Sequence, residues 1–198
     1  MKTLVFGAAL LALVPALARA QDPAHLQKLF ESGQYQQVAD STTPDAPPAA
    51  IYLAGQSHQK LGAMAQASEA YSRLAALPEG DPWRAIGVSS QQLLQNDLDG
   101  ALASAQQAVA AAGTLPEAQF QLGLVYAKRQ DWGAAAQAFD RAAELNPALA
   151  YAHYYGGLMH YRAKRPDQMA IHFEHFLKLA PDAPERPEVL QIMKTVRR

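Results

Sequence analysis

Cysteine is absent from the 198 residues, so no disulfide staple and no thiolate metal centre is available, and packing alone must hold the fold. An excess of basic charge is also missing. Once Lys2 and Arg19 are set aside with the leader described below, the 17 basic residues fall to 15 against 18 acidic ones, a formal charge of −3. That balance excludes the dense cationic face a nucleic-acid partner requires. Beyond the first twenty residues no apolar run is long enough to cross a bilayer, which takes about 20 residues. Nor does the chain contain a Gly-rich phosphate loop, a G-x-S-x-G elbow or an H-E-x-x-H pair. These absences predict a chain that is not an enzyme and carries no cofactor.

What the N-terminus does contain is a leader. Lys2 gives a positive start, Leu4 to Leu17 an apolar stretch, and Ala18-Arg19-Ala20 small residues at the two positions that decide cleavage. The pattern predicts a signal peptide over residues 1–20, cut after Ala20, and a periplasmic or secreted address. No cysteine follows the apolar run, which excludes a lipid anchor there, and the mature chain should have no stable membrane span.

The strongest internal signal is a period. Gly55, Ser89, Gly123 and Gly157 stand 34 residues apart. The same interval links Ala67, Ala101, Ala135 and Met169, then Tyr71, Ala105, Phe139 and Phe173, then Leu74, Ala108, Ala142 and Phe176. Small columns alternate with large ones, as they must where helices cross closely and bulky side chains fill the remaining gaps. Leu61-Gly62, Asn96-Asp97, Gln130-Asp131 and Arg165-Pro166 break the helical pattern inside each unit. Helices are predicted over about 49–61, 64–76, 82–95, 98–111, 116–129, 132–145, 150–163 and 167–179.

Residues 116–149 make the clearest copy, with Leu122-Gly123, Tyr126, Ala135, Phe139, Ala142 and Pro147. In these positions and in its period the chain resembles the tetratricopeptide-repeat (TPR) family. The second copy is weaker, with Ala105 at the large aromatic position and Gly113 where proline is usual. The resemblance implies an all-α, right-handed TPR superhelical solenoid of antiparallel helix pairs. Four units would cover 49–181, at about 48–81, 82–115, 116–149 and 150–183. A shortened N-terminal helical unit and loop would precede them at 21–48, using Leu26, Leu29, Phe30, Gly33, Tyr35 and Val38. A C-terminal capping helix would follow at 184–198, where Val189, Leu190, Met193 and Val196 form an apolar stripe.

The resemblance further implies a protein- or peptide-binding scaffold in a bacterial cell envelope, whose first helices line a concave groove. Carried over column by column, that face holds Tyr52, Trp83, Phe120, Leu124, Lys128, Tyr151, Tyr154, Leu158, Tyr161 and Arg162. Tyrosine and tryptophan offer large contact area with few rotors to freeze, and Lys60, Lys128 and Arg162 would draw an acidic partner. The lysine and asparagine columns of the chaperone-tail clamp are not present. A second reading rests on histidines. His153, His160, His172 and His175 lie in the last unit, and His172 and His175 share a helix face. Within that unit the acids Asp167 and Glu174 only flank the face, so a metal site there lacks a third ligand.

Overall fold

The computed structural model describes residues 22–196, and the signal peptide expected over 1–20 lies outside the described residues. Among them stand eleven helices and no strand: α1 (Pro23–Glu31), α2 (Tyr35–Ser41), α3 (Pro48–Lys60), α4 (Met64–Ala75), α5 (Pro82–Leu94), α6 (Leu98–Ala111), α7 (Pro116–Lys128), α8 (Trp132–Leu145), α9 (Ala150–Arg162), α10 (Pro166–Leu179) and α11 (Arg186–Val196). Consecutive helices pack on one another along the chain, and α5 also touches α7. The result is the all-α stack of antiparallel helix pairs that the period predicts.

Local chemistry sets where each helix starts and stops. Proline opens α1, α3, α5, α7 and α10, where its missing N–H costs nothing and its fixed φ suits the first turn. Asp22, Asp81, Asp97 and Asp131 accept hydrogen bonds from first-turn amides of α1, α5, α6 and α8. The turn inside each pair is left-handed at one register position, with φ of 74° at Gly62, 60° at Asn96, 64° at Gln130 and 58° at Lys164. In all four, the next amide donates back to the carbonyl five residues earlier, as Ala63 does to His58 at 2.8 Å and Asp97 to Gln92 at 2.8 Å. The fourth turn is therefore centred on Lys164, one residue before the Arg165-Pro166 pair that the sequence pattern marks.

The small-and-large columns are complementary surfaces. A Cβ on Gly55 would meet the Tyr71 ring at 2.3 Å, one on Gly123 the Phe139 ring at 2.8 Å, and one on Gly157 the Phe173 ring at 2.4 Å. The second unit inverts the pair, with buried Ser89 opposite the α6 turn that carries Ala101 and Ala105. There the Ser89 hydroxyl donates to the Ala101 carbonyl at 2.9 Å and accepts from Gln121 Nε2 at 3.0 Å, while Gln121 Oε1 accepts from the Tyr52 hydroxyl at 2.8 Å. What looks like a degenerate repeat is the anchor of a buried polar relay joining three units.

The two ends of the stack meet. Glu31 at the end of α1 accepts from the Ala150 amide at the start of α9, 3.2 Å away, and Phe30 sits edge-on to Tyr151 with centroids 5.0 Å apart. Tyr35 and Tyr151 share a hydroxyl contact of 3.1 Å. Pro184 packs so close to Gly33 that a Cβ there would lie 2.7 Å from its Cγ. Ahead of α11, Glu185 accepts from Tyr151 at 2.7 Å and pairs with Lys60 at 2.6 Å, and Glu188 accepts from Tyr154 at 2.9 Å. The inner face is thus wrapped by the chain's own N-terminal unit and C-terminal helix.

Candidate functional site

Closure divides the expected open groove into half-open cavities. Phe30 stands between two cavities of about 410 and 420 Å³, and Gln56, Phe120 and Tyr151 also line both. The first cavity presents Gln59, Ser90, Gln121 and the two lysines Lys60 and Lys128, with no carboxylate in its lining. The second is mixed in charge, with Lys28, Glu31 and Glu117. Burial pushes the carboxyls of Glu31 and Glu117 up from their ordinary range, so neither offers a cheap anion to that space.

Five of the ten residues expected on the binding face gather here. Tyr52 lines the second cavity, Phe120 and Tyr151 line both, and Leu124 and Lys128 line the first. The rings among them are core rather than surface, since Tyr52, Phe120 and Tyr151 keep only 3 %, 5 % and 2 % of their exposure. The other five line neither cavity. Trp83 lies edge-on to Tyr52 with centroids 6.0 Å apart. Tyr154 is buried and donates to Glu188, Leu158 is half-buried, Tyr161 is exposed, and Arg162 stacks over Trp132 at 5.9 Å. Of the stripe expected to centre on the last two units, Tyr151 and Tyr154 are taken up by packing, because α1, Glu185 and Glu188 fold onto them. Burial then pushes the Tyr151 and Tyr154 hydroxyls up, which keeps them protonated donors to the two glutamates. Phe30, Gln121 and Tyr155 line the first cavity without having been expected on the binding face. Gln121 and Tyr155 belong to a further column of the same period, Leu53, Gly87, Gln121 and Tyr155, in which a lone glutamine among apolar neighbours was the available signal.

The histidines of the last unit form a separate cluster. His175 stacks on His153 at 4.9 Å, His153 lies 5.3 Å from His172, and His172 lies 5.3 Å from His160. The inner end of this series meets Asp140 of α8. Its Oδ1 is 3.0 Å from His160 Nε2 and 2.9 Å from His172 Nε2. The carboxylate that the histidine face lacks within the last unit thus comes from the preceding one. Burial pushes the Asp140 carboxyl up, but hydrogen bonds from the two imidazoles outweigh it and hold the group down at about 2. His153 is lowered to about 4 by burial and by its neighbour His172.

Comparison with known proteins matches this architecture. The family model described as "Tetratricopeptide repeat" matches residues 116–149. Among solved structures, TTC0263, a thermophilic TPR protein of Thermus thermophilus, shares 19% identity over 88% of this chain and 99% of its own, with a TM-score of 0.64. The first TPR of Spaghetti (RPAP3), solved bound to the HSP90 peptide SRMEEVD, shares 15% identity over 62% of this chain and 100% of its own, at 0.57. YrrB, described as a TPR protein with an unusual peptide-binding site, shares 19% over 93% of this chain and 87% of its own, at 0.53. Among curated proteins, none matches the sequence.

Proposed function

We propose that this chain, whose residues 116–149 match the tetratricopeptide-repeat model and whose fold is that of such proteins, is a binding scaffold of the bacterial envelope which takes an acidic peptide segment into the first cavity. The observation that carries this reading is the lining of that cavity. Two lysines, three glutamine side chains and a serine face inward beside Leu93, Leu124 and Phe120, without a carboxylate among them. Lys60 is engaged by Glu185, so Lys128, exposed at the end of α7, is the cation a partner meets. The side-chain amides of Gln56 and Gln59, both only partly buried, can match peptide backbone groups, and Leu93 and Leu124 supply apolar contact beside them. Two proteins of the same fold, named above, are described with bound peptides or peptide-binding sites, which supports a role in binding rather than catalysis. The columns of the chaperone-tail clamp hold other residues here, so the segment recognised is a different one.

An array of short peptides graded in charge, probed with the full chain, tests the reading. Acidic peptides are expected to be retained, and Lys128→Glu combined with Leu124→Asp to weaken the best of them at least tenfold while helicity is unchanged. Equal retention of basic and acidic peptides, or indifference to the double substitution, would defeat it. The address rests on the leader over residues 1–20. N-terminal sequencing of the protein recovered from fractionated cells is expected to begin at Gln21 in the envelope fraction, whereas recovery in the cytoplasmic fraction with Met1 intact would remove the envelope from the proposal.

A further inference from the structure

We propose that Asp140, His160 and His172 form a binding site for a divalent transition-metal ion of the zinc class, at the junction of the third and fourth units. One ligand atom from each side chain lies within 4.8 Å of the others, and the three residues come from three helices, α8, α9 and α10. Both Nε2 atoms aim at the same carboxylate oxygen, 2.9 and 3.0 Å away. A tetrahedral zinc ion with metal–ligand distances of about 2.0–2.2 Å sets its donors roughly 3.4 Å apart. The two nitrogen–oxygen separations therefore need only about 0.5 Å of opening to admit the ion between the three donors.

The donor set chooses the class of ion. Two imidazoles and one carboxylate suit zinc and its first-row neighbours, whereas calcium and magnesium demand oxygen ligands throughout. The surroundings hold the ligands still. His160 and His172 are buried, and Gly156 lets the second ring lie flat against α9, since a Cβ there would be 2.9 Å from His172 Nδ1. The Nδ1 atoms of both ligands are buried without a hydrogen-bond partner among the described residues, so loading the ion moves each ring proton to Nδ1 and exchanges the two Nε2–H···Oδ1 hydrogen bonds to Asp140 for metal–ligand bonds. The Asp140 side chain keeps 34% of its exposure, which leaves a way in and a place for water as the fourth ligand. None of the three residues lines either concave cavity, so the site is independent of peptide binding. Bound there, the ion ties α8 to both helices of the following unit and stabilises the native state by mass action.

Calorimetric titration of the chelator-treated full chain, free of any histidine tag, with zinc chloride is the test. One equivalent is expected to bind, calcium at the same concentration not at all, and cobalt(II) should give visible absorption bands. Asp140→Asn and His172→Gln, which keep side-chain shape, should each weaken zinc at least tenfold. His175→Ala, outside the triad, should bind as the parent does. Circular dichroism establishes that the variants are folded, and if His172→Gln is not, Asp140→Asn decides alone. Absence of zinc binding by the parent, binding indifferent to Asp140→Asn, or an equal loss in His175→Ala would each overturn the assignment.

Discussion

Phe173→Ala is expected to destabilise the chain by about 3–5 kcal/mol, and Gly157→Ala by about 1–3 kcal/mol, as read from urea unfolding followed by circular dichroism. The first removes a fully buried ring and leaves a cavity. The second places a methyl group where the Cδ1 and Cε1 atoms of that ring lie 2.4 and 2.5 Å away, closer than any real contact, so the ring must leave its rotamer or the helices must part. Because both changes act on one contact, they should not add. The double variant Gly157→Ala/Phe173→Ala is expected to lose less than the two single losses together, with a coupling of about 0.5–3 kcal/mol. The second unit already contains the natural counterpart, Ser89 with Ala105, and both are fully buried. Strict additivity would mean that glycine stands at this column for some reason other than the ring it faces.

Gln121→Leu should cost about 1–3 kcal/mol, because it strips the Tyr52 hydroxyl of its acceptor inside the core. Ser89 loses a donor but still bonds the Ala101 carbonyl, so the penalty belongs mainly to the tyrosine. That assignment has a direct check. Tyr52→Phe introduced into Gln121→Leu removes the stranded group, and replacing both partners of a buried hydrogen bond by apolar groups is close to neutral. The double variant is therefore expected to recover most of the loss. If it instead falls further, the relay matters through the position of Gln121 against Ser89 and not through Tyr52.

The helices of the four units were legible in the sequence because every determinant is local. Prolines at first positions, aspartate caps and a turn residue recurring every 34 positions fix their ends, and each observed helix boundary falls within one residue of its expected place. The pairing of glycine with a ring was legible for the same reason, since both columns share the period. Closure was not. It depends on the small rotation between successive pairs accumulated over the whole stack, and nothing local to Glu31 or Ala150 announces that they will touch. The binding face suffered accordingly, because a column can place Tyr151 and Tyr154 on the inner side without revealing that α1 and the residues before α11 will cover them. Asp140 was missed differently. The histidines were weighed against acids of their own unit, Asp167 and Glu174, while the carboxylate that reaches them sits on the helix before, one position after the Phe139 that the repeat pattern singles out.

An open row of repeats can fray from either end, each unit holding only its neighbour. Here the contact between Glu31 and Ala150 spans 119 residues of chain and that between Tyr35 and Tyr151 spans 116, so no unit is terminal in the energetic sense. Peeling away the first hairpin uncovers the start of the last pair, and releasing the segment that carries Glu185 frees Lys60 in the first unit. Such contacts couple the two ends of the array, so that loosening one end weakens the other.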